Sequence, residues 1–97
     1  MGNDGVVKTR MSGAGSLITE LKEGEYDGSP WTNFLLRTDD NNIVRIQLWG
    51  VAMSECVAAW GTAEYKGRRC GFRGQLRGIW DEKPTVACGL DDIRMGW

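Results

Sequence analysis

The stretch IVRIQLWGVAMSECVAAWG, residues 43–61, changes its hydrophobic period partway along. In the first half Val44, Ile46 and Leu48 alternate with Ile43, Arg45, Gln47 and Trp49, the period of two expected of a strand with one buried face. In the second half Met53, Cys56, Val57 and Trp60 recur at helical spacing. Ala52, Ala58 and Ala59 favour a helix there, and Gly61 can end it. A strand feeding directly into a short helix is the feature that narrows the fold.

Upstream, WTNFLLRT (31–38) alternates Phe34 and Leu36 against Trp31, Asn33, Leu35 and Arg37, and DDNN (39–42) is a compact hairpin connection to the next strand. SLITELKEG (16–24) reads as an earlier strand, and EGEYDGSP (23–30) as a polar turn region. Residues 1–15 are glycine-rich and weakly patterned, with an extended segment over 6–11 and a break at SGAG (12–15). Downstream, AEYKG (63–67) connects into RRCGFRGQLRGIW (68–80), where Cys70, Phe72 and Leu76 share one parity and Arg73, Gln75 and Arg77 the other. DEKP (81–84) reads as a turn, and TVACGLDDIRM (85–95) as a last strand with Val86, Cys88 and Leu90 on one side.

Three strands, a helix and two strands make an all-β chain with one short helix. This is the layout of a five-stranded OB-fold, a Greek-key barrel with its helix between strands 3 and 4. Gly71, Gly74 and Gly78 suit a sheet that bends hard enough to close. An SH3-like barrel fits the size but places no helical period at that point. A single domain over residues 1–97 is expected, with 1–15 loosely attached.

Composition narrows the chemistry. The 97 residues carry 12 Lys and Arg against 13 Asp and Glu, a net charge of −1, so whole-molecule electrostatics give no pull toward nucleic acid. The distribution is uneven: Lys66, Arg68, Arg69, Arg73 and Arg77 follow one another with no intervening acid, while Glu20, Glu23, Glu25, Asp27, Asp39 and Asp40 crowd the earlier half. No histidine is present, and the three cysteines, Cys56, Cys70 and Cys88, show no metal-ligand spacing and read as buried, reduced hydrophobes. No metal, no cofactor, no small-molecule substrate and no enzymatic activity are expected, because no His base, phosphate-cradling glycine loop or convergent carboxylate pair is present. No apolar run reaches the roughly 18 residues of a membrane span. Residues 1–5, MGNDG, do not resemble a secretory leader, and Val6 spoils a myristoylation pattern at Gly2. A cytoplasmic address, with no membrane partner, is expected.

Three ordered segments carry a family resemblance. TNFLLRT (32–38), VRIQLWG (44–50) and AEYKGRRCGFRGQLRGIW (63–80) resemble the second strand, the third strand and the helix-exit-plus-fourth strand of the bacterial-type single-stranded DNA-binding proteins. The likeness covers about residues 16–95. It implies an OB-fold that binds single-stranded DNA without sequence preference, in replication, recombination or repair, as a homodimer or homotetramer, with RNA left open as a ligand. Such proteins combine a basic groove with aromatic faces on which bases stack. The resemblance places stacking aromatics at Trp49 and Trp80 and phosphate contacts at Arg73 and Arg77. Strand parity adds Arg45 beside Trp49, and Trp31 and Arg37 on the neighbouring strand; Trp80 falls on the inward parity. Lys66, Arg68 and Arg69 would extend the path, and Trp60 is expected in the core.

The chain also departs from that family. Residues 91–97, DDIRMGW, do not match the linker and acidic-aromatic tip by which replication-type members recruit partners. The segments KEGEYDG, TDDNN and DEKP are acidic where loops would meet phosphate. The alternative reading is therefore an OB-fold protein-interaction module, a subunit of a larger complex with weakened nucleic-acid binding.

Overall fold

The computed structural model describes residues 9–62 and 64–96. It contains seven strands, β1 (Arg10–Leu17), β2 (Lys22–Tyr26), β3 (Ser29–Thr38), β4 (Ile43–Trp49), β5 (Arg69–Trp80), β6 (Lys83–Ala87) and β7 (Ile93–Met95). One helix, α1 (Met53–Trp60), lies between β4 and β5, and a 3-10 turn (Leu90–Asp92) precedes β7. The chain is thus mostly β with one short helix. The strands form one sheet in the order β1-β3-β4-β6-β5-β7, with β2 on β3 and a further pairing of β1 with β5 that returns the sheet upon itself. Every pairing is antiparallel except β4 with β6.

The alternation in β3 and β4 sets the core. Phe34, Leu36, Val44, Ile46 and Leu48 are fully buried and point inward with Leu17, Phe72 and Val86. Each such side chain contributes about 1.5–3 kcal/mol on burial, and a one-residue slip would turn the whole set outward, so the register is fixed. Helix α1 closes one end of this interior with Cys56 and Trp60, whose indole meets Phe34 and Tyr65 edge to face. Trp60 and the three free, buried cysteines are where the sequence pattern puts them. Burial pushes the thiols of Cys70 and Cys88 up to about 12.

Several boundaries differ from the sequence reading. The helix lies between the fourth and fifth strands rather than the third and fourth, because residues 22–26 form an additional strand. EGEYDGSP is not one long turn: only Asp27 and Gly28, both at positive φ, make the reversal between β2 and β3. The expected first strand at 16–24 is divided. Ile18–Leu21 leaves the ladder because Thr19 Oγ1 accepts from the Leu35 N–H, and the Glu20 carboxylate accepts from the backbone N–H groups of Tyr65 and Lys66. SGAG at 12–15 lies within β1 and is no break; of the extended segment expected over 6–11, residues 6–8 lie outside the described residues. In DEKP only Asp81 and Glu82 turn, at φ 59° and 63°, and Lys83 begins β6. The last expected strand is broken after Ala87, and Ile93–Met95 crosses to the free edge of β5.

Small residues in β1 are required by closure. Gly15 lies opposite Thr38 of β3 and Cys70 of β5, and a methyl group there would stand 2.0 Å from the Arg37 carbonyl oxygen. Gly15→Ala is therefore expected to destabilise the fold by about 1–3 kcal/mol, read as a lower urea midpoint with unchanged slope.

The Glu20 clamp predicts a pH dependence. The two backbone donors hold this carboxyl below its ordinary value of 4.5. A folded-state pKa below the unfolded one stabilises the fold above the unfolded value and is lost as pH falls through the folded value. Glu20→Gln should unfold at lower temperature at neutral pH, and its melting temperature should fall less than that of the parent between about pH 6 and about pH 3.

Candidate nucleic-acid interface

Strand register, rather than sequence proximity, assembles the outward face. Trp31 lies opposite Trp49, Asn33 opposite Gln47, Leu35 opposite Arg45 and Arg37 opposite Ile43, so all four candidate residues of β3 and β4 share one surface, as their parity predicts. Trp49 is 49% exposed, and its indole N–H donates to Gln47 Oε1 at 3.0 Å. Arg45 reaches across to β6, where its Nη1 donates to Thr85 Oγ1 at 3.2 Å. From Trp49 to Ile43 is six residues, about 20 Å of sheet.

Trp80 joins this face through an irregularity. The ladder between β5 and β6 slips between Leu76 and Gly78, leaving Arg77 as an extra residue. A β-bulge of this kind reverses the side-chain parity that follows it. Gly78 therefore pairs with Thr85 and Trp80 with Lys83, on the side where Arg45 lies. The Trp80 ring folds back over Gly78, where a Cβ would come within 2.9 Å of it, yet the residue stays 53% exposed. The inward parity read for Trp80 from the sequence is thus corrected by one inserted residue.

The remaining candidates are dispersed. Arg37 lies at the far end of β3 from Trp31, and Arg77 projects from the bulge; both are exposed. Arg73 sits opposite Ser12 of β1, with its Nε 3.4 Å from Asp92 Oδ1, and lines a cleft with Phe72, Asp91 and Arg94. The basic run after the helix is absorbed by the fold. Arg68 is buried, donates to the Trp60 carbonyl at 3.0 Å and lies 4.4 Å from the Tyr65 ring centre. Arg69 forms a two-pronged pair with Asp39 at 2.7 and 2.8 Å, which lowers the Asp39 pKa. Only Lys66 of that trio is left to extend a ligand path, because the other two hold the chain together.

Strand β2 supplies residues that the sequence reading missed. Lys22, Gly24 and Tyr26 oppose Asn33, Trp31 and Ser29, so they face outward, while Glu23 and Glu25 fall on the other side. Tyr26 is 70% exposed and meets Trp49 edge to face, with ring centres 6.4 Å apart. The alternation Lys22-Gly24-Tyr26 was the available signal, hidden because its intervening residues are charged and the segment holds no apolar core position. Among the described residues, Glu23 and Glu25 are the only acidic side chains in any strand, so no carboxylate occupies an outward strand position. Arg10, Lys22, Arg37, Arg45, Arg73 and Lys83 do occupy such positions.

Among the described residues no three His, Cys, Asp or Glu side chains gather closely enough to hold a metal ion, and no helix is long and apolar enough to cross a membrane. No protein-family model matches the chain, and no curated protein matches it significantly.

Gly24 seats the Trp31 indole: an added methyl would come within 2.2 Å of the ring. Since a side chain rather than backbone must yield, Gly24→Ala should change stability by no more than about 1 kcal/mol while displacing the ring. Greater iodide quenching of tryptophan emission would register that displacement.

Proposed function

We propose that the chain binds single-stranded DNA on the outward face of β2, β3, β4, β6 and the second half of β5, by stacking bases on Trp31, Trp49, Tyr26 and Trp80 and neutralising phosphates with Lys22, Arg37, Arg45 and Lys83. The observation that carries this reading is the charge segregation. Cations and exposed aromatics occupy outward strand positions from which every carboxylate of the described strands is absent. A net charge of −1 then describes the turns and not the face. Phosphate binding needs local positive potential, and stacking needs rings with an open π-face; both are supplied on one surface.

The pairing circuit supports an OB-type barrel beneath that surface. Its path β1–β3–β4–β6–β5 and back to β1, with the single parallel contact between β4 and β6, suits a closed Greek key in which β1 and β2, which follow one another along β3, together take the place of one bent strand. It agrees with the fold implied by the resemblance to the bacterial-type single-stranded DNA-binding proteins. A second reading, a protein-binding module, is favoured by one feature: Ile79, 66% exposed, stands beside Trp80 at the end of the β5–β6 hairpin.

Titration with oligo-dT of increasing length, followed by tryptophan emission at two salt concentrations, separates the two. Saturable quenching that weakens with a slope of about 0.7 per phosphate contact supports DNA binding. Trp49→Ala should then weaken affinity by about 1–3 kcal/mol, and Arg45→Ala should reduce the salt slope by about 0.7. Absence of quenching at low salt and micromolar protein overturns the proposal.

A further inference from the structure

One cross-strand row on the outward face holds three carboxamides among its six residues. Lys22 opposes Asn33, Asn33 opposes Gln47, Gln47 opposes Ala87, Ala87 opposes Gln75, and Gln75 opposes Arg10. The row crosses six strands without interruption and ends in a cation on each side. Gln47 and Gln75 are separated by two inter-strand spacings, about 9–10 Å, and only the Ala87 methyl group stands between them. Trp49 on β4 borders this slot on one side, and Arg45 borders it on the other. A gap of this width, floored by a methyl and walled by two amides, matches the edge of a single unpaired base.

The orientation of one amide is fixed by chemistry. An indole N–H can only donate, so the Gln47 atom 3.0 Å from Trp49 Nε1 must be the carbonyl oxygen. The Gln47 NH2 group is then the part left for a ligand. A glutamine reads adenine through its oxygen and nitrogen together; with one lone pair of the oxygen held by Trp49 the amide is turned away from that two-point pairing, and its free donor suits a keto oxygen. The Gln75 side chain makes no hydrogen bond among the described residues and can turn to complement whichever edge enters.

Resting on the nucleic-acid reading above, we infer that Gln47 and Gln75 form a base-reading slot over Ala87 that favours a keto base, thymine over cytosine among the pyrimidines, at one position of an otherwise sequence-tolerant site. Trp49 is a positioning residue for the Gln47 amide as well as a stacking platform.

The test compares oligo-dT with oligo-dC of equal length, two pyrimidines that differ at the keto or amino group on C4. The full chain should bind oligo-dT at least fivefold more tightly than oligo-dC at the same salt concentration. Gln75→Ala should reduce that ratio. Gln47→Glu keeps an acceptor for the Trp49 indole but replaces the free donor with a second acceptor, which suits the cytosine amino group. Its added charge weakens both strands, so the ratio is the readout, and it should fall to one or reverse. Tight, salt-sensitive binding with a parental ratio of one, or a ratio unchanged in Gln47→Glu, overturns the slot while leaving DNA binding intact. Failure of both oligonucleotides to bind overturns the slot and the DNA reading together.

Discussion

Strand β1 has to lie between two partners at once. At Gly15 it faces Thr38 of β3 on one side and Cys70 of β5 on the other, and the Arg37 carbonyl approaches so closely that a side chain has no room. Beyond that point Leu17 donates its N–H to the Arg68 carbonyl while Gly67 donates back to the Leu17 carbonyl, extending the closure into the loop before β5. The rest depends on this junction. If β1 left β5, the sheet would have an open edge on β5 and the inward face of Phe72 would meet water. Glycine weakens a strand by itself; here the loss is offset by the pairing of seven β1 residues with β5.

Closure also decides where charge can go. Inward positions of a small closed sheet are filled by apolar side chains, so charged residues are left to outward strand positions, to turns and to the exposed other side of the edge strand β2, where Glu23 and Glu25 stand. This chain divides them by sign. The acids Asp27, Asp39, Asp40, Asp81, Glu82, Asp91 and Asp92 all lie between strands, where several have local work. Asp39 grips Arg69, Asp40 accepts from Thr38, and Asp92 accepts from the Gly89 N–H. Carboxylates that satisfy turn backbones stay on the rims, and the strand face keeps its positive character. The acidic turns TDDNN and DEKP therefore lie at strand ends, and within KEGEYDG the two glutamates fall on the opposite side of β2 from Lys22 and Tyr26.

What could be read from the sequence follows from where each signal originates. The faces of β3 and β4 were legible because Phe34, Leu36, Val44, Ile46 and Leu48 are all buried and alternate with less buried outward residues, so period two survives intact. Helix α1 was legible for the same reason at a different period. Strand β2 was not, because an edge strand whose five residues are all polar or glycine except Tyr26 contributes nothing to the core. The burial of Arg68 was equally hidden, since it depends on the Trp60 carbonyl and the Tyr65 ring converging from other parts of the chain. Of the candidate site, the Trp31, Trp49 and Arg45 cluster was available from parity alone. Lys22 and Tyr26 became visible only with the register of β2 against β3.

The bulge at Arg77 ties the two halves of the molecule together. A strand of twelve residues that pairs with β1 along its first half and β6 along its second has to bend between them. An inserted residue supplies that bend by increasing local twist. The same insertion reverses parity, so Trp80 leaves the inward course that alternation from Cys70, Phe72 and Leu76 would give it. Trp80 thereby reaches the side of Thr85 and Arg45 and extends the aromatic face to the end opposite Trp49. Deleting Arg77 would thus remove more than one cation: it would straighten β5 and turn Trp80 away from the shared surface. A single geometric device required to close the sheet also places one end of the candidate interface, which is why neither feature can be altered without the other.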